Sequence, residues 1–195
     1  MLKNAFLILV GLMVAIGVGA GTVSYALNAR SGVGAVNISG WTAFPDMGTP
    51  EADPYSKARV AREGVLTLGR AEGLAFTAQR DSNGDGLRVE CSYVVEGTIP
   101  PARFWTLYPS RPGDAPIQPR NIRPVALHSY EVLRLPDNSV SISVGPKPTP
   151  GNWLALHGSG PMTLNLTLYD TPIASSTGLT GVELPQILKV GCDAG

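Results

Sequence analysis

The chain has 195 residues, its 15 Lys+Arg are balanced by 15 Asp+Glu, and its charged fraction of 15% lies well below the roughly 25% of an average soluble domain. A neutral, sparsely charged chain lacks the electrostatic footing for nucleic-acid binding, so no nucleic-acid partner is expected. With 23 Gly and 17 Pro it is a poor candidate for a helical bundle, while 44% hydrophobic residues exclude wholesale disorder.

The first predicted element is apolar. Asn4 to Ala29 carries no charged residue and includes Ala5-Phe6-Leu7-Ile8-Leu9-Val10 and Leu12-Met13-Val14-Ala15-Ile16. About 20 such residues cross a ~30 Å hydrocarbon core as a helix, so residues 1–30 read as a transmembrane anchor or a signal peptide. Ser24-Tyr25-Ala26 and Val18-Gly19-Ala20 only loosely fit a cleavage site, and no Cys follows that could carry a lipid, which favours an uncleaved anchor. Lys3 and the terminal amine outweigh Arg30, so the amino terminus is expected in the cytoplasm and the body outside it, on the periplasmic side of a bacterial inner membrane. Gly11, Gly17, Gly19 and Gly21 give small-residue spacing that is also ordinary for membrane helices.

Residues 31–53 are rich in Gly and Pro with little apolar period, as in a linker or extended arm. Trp41 and Phe44 are out of place in a pure tether, and argue that the segment lies down on the body or the membrane interface. Asp53-Pro54 then signals a short helix, with Asp53 as N-cap, Pro54 at the first position and Gly64 as the stop.

From there the period changes to two. Leu74, Phe76 and Ala78 alternate with polar or small neighbours, as do Leu87, Val89, Cys91, Tyr93 and Val95, and Asp81-Ser82-Asn83-Gly84-Asp85-Gly86 between them reads as a hairpin loop. Further strands are expected over 103–108, 124–128, 131–135, 140–144, 162–169 and 187–190. About eight strands broken by Pro- and Gly-rich turns predict a mainly β domain over 54–195, an antiparallel β-sandwich or jelly roll with one short helix.

Few residues offer chemistry. Cys91 and Cys192 are the only cysteines. In an oxidising compartment they are expected to form a structural disulfide; the rival readings are two buried free thiols or a catalytic Cys, which would want an exposed, electropositive site. Asp81-x-Asn83-x-Asp85-Gly86 matches half of a calcium loop, but position twelve is Ser92 and strands replace the flanking helices, so a plain turn is the better account. His128 and His157 stand at no ligand spacing from another His, Cys or carboxylate, and no G-x-S-x-G elbow is present. No metal or other cofactor is expected.

Phe104-Trp105-Thr106-Leu107-Tyr108, Leu135-Pro136-Asp137-Asn138-Ser139-Val140-Ser141-Ile142, Gly151-Asn152-Trp153-Leu154 and Leu164-Asn165-Leu166-Thr167-Leu168-Tyr169-Asp170-Thr171-Pro172 follow one another in an order that resembles the bacterial domain of unknown function 1214, especially its short membrane-anchored members. Glu72-Gly73-Leu74-Ala75-Phe76 extends the likeness. The resemblance implies a jelly-roll sandwich and an exported or inner-membrane setting, and no established activity. In larger relatives this domain follows another uncharacterised domain in the same chain, so it also implies a separate membrane partner carrying that companion. Thr167 stands where longer relatives tend to have Arg, and Asp137-Asn138 replaces an Asp-Gly turn. If the four motifs are neighbouring strands, Trp105, Tyr108, Trp153 and Tyr169 could line a ligand groove, although sandwich aromatics more often fill the core. The expected function is a membrane-anchored envelope protein whose sandwich binds a partner or ligand without catalysis; the alternative is an envelope hydrolase with its site in the sandwich.

Overall fold

In a computed structural model the described residues are 2–28, 34–64, 67–111, 115–118, 124–174 and 179–192. Arg30, invoked for orientation, lies outside them. Helix α1 (Leu2–Asn28) is followed by β1 (Val36–Ile38), β2 (Trp41–Ala43), α2 (Pro54–Glu63), β3 (Gly73–Ala78), β4 (Cys91–Gly97), β5 (Phe104–Ser110), β6 (Leu127–His128), β7 (Val140–Gly145), β8 (Asn152–Ala155), β9 (Thr163–Tyr169) and β10 (Gln186–Cys192). They form a six-stranded sheet in the order β1-β2-β3-β9-β5-β6 and a four-stranded sheet in the order β10-β4-β7-β8.

The sandwich core follows from alternation. Leu164, Leu166 and Leu168 of β9 point to one face and are fully buried. The register sets Leu74 and Trp105 on either side of Leu168, and Phe76 and Leu107 on either side of Leu166. The facing sheet contributes Tyr93, Val95, Val140, Ile142, Val144, Leu154 and Ile187 to the same cluster. Each such side chain contributes about 1.5–3 kcal/mol by leaving water, which explains why the two-residue period dominates the chain after Gly73.

Several expectations need correction. The sandwich begins upstream of residue 54: inside the predicted arm β1 pairs with β2, and β2 pairs with β3. Trp41 is wholly buried and its indole N–H donates to the Pro185 carbonyl at 2.8 Å, which ties this hairpin to the segment leading into β10. The predicted hairpin around 81–86 closes only through the Arg80–Gly86 bridge, after which β3 and β4 diverge into different sheets. The reason is a competing partner: the Leu87 carbonyl accepts from Met162 N–H and Val89 N–H donates to the Gly160 carbonyl, so residues 86–89 turn the corner of the sandwich instead of extending β4.

Residues 131–135 do not form a strand. Arg134 makes one bridge to Val140 around the Asp137-Asn138 turn, where Asn138 takes the left-handed conformation at φ 66°. Strand β8 was not foreseen, and it runs parallel to β7, Ile142 facing Asn152 and Gly145 facing Ala155. Parallel neighbours ordinarily need a connection of a dozen or more residues, yet only 146–151 intervene. Pro146, Pro148 and Pro150 account for this: at ~3.1 Å per residue an extended Pro-rich segment reaches ~19 Å, ample for a return of ~10 Å along β7. Gly151, at φ 83°, makes the turn back into the sheet.

Candidate functional site

The short strands β6 and β8 are edge strands of the two sheets, and a cavity of about 240 Å³ opens between them. Leu127, Leu133, Trp153 and Ala155 give it apolar walls, and Glu131 and Asn152 supply polar groups. Asn152 builds the wall. Its amide oxygen accepts from Leu133 N–H at 2.7 Å, and its amide nitrogen donates to the carbonyls of Leu133 at 2.8 Å and Ser141 at 3.0 Å. One side chain therefore clips the 131–135 segment onto the start of β8. Trp153 is held by its indole N–H, which donates to the Gly145 carbonyl at 3.0 Å.

The segment that supplies Glu131 and Leu133 to the cavity also exposes apolar side chains. Tyr130, Leu133 and Leu135 are 80%, 68% and 50% exposed, all within the segment that leads from β6 to β7. Tyr130 is tilted against Phe104 at 5.5 Å between ring centroids; His128 stacks on the same Phe104 at 5.7 Å, and Tyr169 is tilted against it at 5.7 Å. Glu131 accepts from His128 N–H at 3.1 Å, and its carboxylate lies 3.7 Å from His128 Nε2. His128 Nδ1 is buried with no hydrogen-bond partner.

The four aromatics singled out from the sequence are not brought together. Trp105 points into the core at 2% exposure, and only Trp153 lines the cavity. Tyr108 and Tyr169 alternate with the inward residues and stand on the outer face of the six-stranded sheet, in line with Asn165 and Phe104 respectively. Phe104, Tyr130, Glu131, Leu133 and Asn152 were not singled out. Leu133 was invisible because 131–135 read as a half-buried strand, which would have hidden one face.

Cys91 and Cys192 are bonded to each other, directly opposed on β4 and β10. The 81–86 loop is a turn held from within: Asp81 Oδ1 accepts from the N–H groups of Asn83 and Asp85 at 3.0 and 2.9 Å, and Lys189 lies 3.5 Å from Asp85. Among the described residues no group of three or more His, Cys, Asp or Glu is placed to hold a metal. His157 is exposed on the loop after β8. Away from the cavity, Glu90 is held below the usual carboxylate range by backbone hydrogen bonds, including the N–H of Gly160, and by Arg88. It pins the 157–160 loop and has no part in the cleft.

The fold has a known counterpart. The crystal structure of the VPA0106 protein from Vibrio parahaemolyticus superposes with a TM-score of 0.58 at 17% identity, over 72% of this chain and 36% of that one. A putative uncharacterized protein from Burkholderia cenocepacia gives 0.41 at 13% identity, over 94% of this chain and 52% of its own. The chain thus spans about a third to a half of the length of these solved proteins. No curated protein matches it. The model of the protein family of unknown function DUF1214 matches residues 72–173, from β3 through β9 and a little more than half of the chain, and on that ground the chain belongs to this family.

Proposed function

We propose that this chain is a membrane-anchored cell-envelope protein whose sandwich is a non-enzymatic binding module, with the cleft between β6 and β8 as its docking site. The anchor reading rests on α1: Lys3–Leu27 is long and apolar enough to cross a membrane, a property shared by signal sequences. The disulfide suits an oxidising compartment, in line with a cytoplasmic amino terminus and a periplasmic body at the inner membrane. The observation that carries the docking site is Leu133, exposed and yet lining the cavity, on a segment that also exposes Tyr130 and Leu135, since exposed apolar side chains at a concave surface mark an interaction site. Its occupant is a polypeptide carrying the companion domain.

Cross-linking of the full-length protein in its native membrane, followed by mass spectrometry, tests the reading. A stoichiometric membrane partner that is lost with Leu133→Asp is the expected result; recovery of the protein alone would sink it. The paired His128 and Glu131 beside the cleft favour a second reading, an envelope hydrolase using His128 as general base. Turnover of ester or glycoside substrates that disappears with His128→Ala would replace the first reading with this one.

A further inference from the structure

Helix α2 belongs to neither sheet, and the element it packs against is the end of α1. Asp53 caps its start, accepting from the N–H groups of Tyr55 and Ser56 at 2.9 and 3.1 Å, and Gly64 ends it in the left-handed conformation at φ 64°. Ser56 is buried and Val60 half-buried, so one side of the helix faces the body, while Tyr55, Lys57, Ala58, Ala61 and Arg62 are exposed. Lys57, Arg59 and Arg62 lie within nine residues that contain no acid until Glu63 closes the helix.

Arg62 fixes where this basic helix stands. Its guanidinium donates to the Leu27 carbonyl at 3.2 Å. Leu27 lies in the last turn of α1, where carbonyls lack partners within the helix and a cation offsets the helix dipole; α1 has no basic residue of its own there. The 25 residues of Lys3–Leu27 rise about 37 Å, against a hydrocarbon core of ~30 Å, so the last turn of a spanning α1 emerges at the level of the lipid headgroups. Arg62 holds α2 at that level. Tyr25, 79% exposed on α1, and Tyr55, 45% exposed on α2, are the residue type that favours this depth.

We propose that α2 is a foot that binds the phosphate groups of anionic lipids through Lys57 and Arg62, and so sets the height and tilt of the sandwich over the membrane. The inference rests on the reading of α1 as a spanning anchor. Charge complementarity selects the occupant, because basic side chains at headgroup depth attract anionic lipid and long cationic stems keep their heads in the polar layer. Lys57 also donates to the Pro50 carbonyl at 2.9 Å, a bond that leaves its charge and its other donors available.

The test is hydrogen exchange on the full-length protein in lipid nanodiscs, comparing pure phosphatidylcholine with discs containing about a quarter phosphatidylglycerol. The expected result is that amides of 54–63 exchange about tenfold more slowly in the anionic discs, and that the difference vanishes at about 0.5 M salt and in Lys57→Glu, which leaves the Arg62 cap in place. Equal exchange of α2 in both discs, with α1 still protected, overturns the headgroup contact and leaves the anchor standing. Slowing that persists in salt also overturns it. An unprotected α1 overturns the anchor and this inference together.

Discussion

Strand β10 closes one edge of the four-stranded sheet and β8 the other, and the two are secured by different means. Residues 186–189 of β10 pair regularly with β4, a bulge leaves Val190 unpaired, and a disulfide locks the last position. Strand β8 is four residues long, paired in parallel on one side only, and tied on its outer side by one asparagine side chain. The open edge carries the cavity and the exposed Leu133, and it is held by hydrogen bonds alone.

The largest expected effect comes from unlocking the first edge. With the two cysteines 101 positions apart in the chain, Cys91→Ser/Cys192→Ser is expected to cost about 4–5 kcal/mol of stability, read as a lower urea midpoint in detergent. A loss below about 1 kcal/mol would mean that β10 is held by its pairing alone. At the open edge, Asn152→Ala removes three hydrogen bonds and should cost about 1–2 kcal/mol by denaturant titration, with faster amide exchange at Leu133. An unchanged Leu133 amide would show that the asparagine does not hold the 131–135 segment.

Asp53→Ala should cost about 1 kcal/mol through the lost N-cap of α2. The pH dependence has a definite sign. The Ser56 hydroxyl first, then the Ser56 and Tyr55 N–H groups, hold the Asp53 carboxyl below its usual value. A carboxylate lowered in the folded state contributes stability that is fully present above its unfolded value near 3.8 and is lost as pH falls through the folded value. Acid titration of the wild type should therefore fray α2 in that window, and Asp53→Ala should flatten the response. The smallest effect on stability is expected for Leu133→Asp, within about 0.5 kcal/mol because the side chain is already exposed. Its consequence is for partner capture, which separates binding from folding at this edge.

How much was legible in the sequence depended on the range of the interaction responsible. The α2 boundaries were, since Asp53, Pro54 and Gly64 act on neighbouring backbone groups. The strand character of β3, β5, β7 and β9 was too, because the alternation of apolar with polar or small residues is local, and it holds even in β9, where both faces are buried. Strands β1, β2 and β8 were not, being three or four residues long in Gly- and Pro-rich sequence, and formed only because a partner strand offers them hydrogen bonds. At the cleft, Trp153 was picked out for its type, but no local rule tells that Trp105 faces the core, or that Leu133 stays in solvent.

By itself the sequence determined the apolar first helix, the β-rich body, the capped short helix and the family likeness, all of which rest on period, composition or neighbouring residues. Tertiary structure alone decided that β3 and β4 part into different sheets, that 36–43 joins the sandwich, and that β6 and β8 leave a cleft between them. These outcomes depend on which distant segment wins a given set of backbone donors and acceptors, as Gly160 and Met162 do at residues 87–89. That competition is settled only when the whole chain is in place.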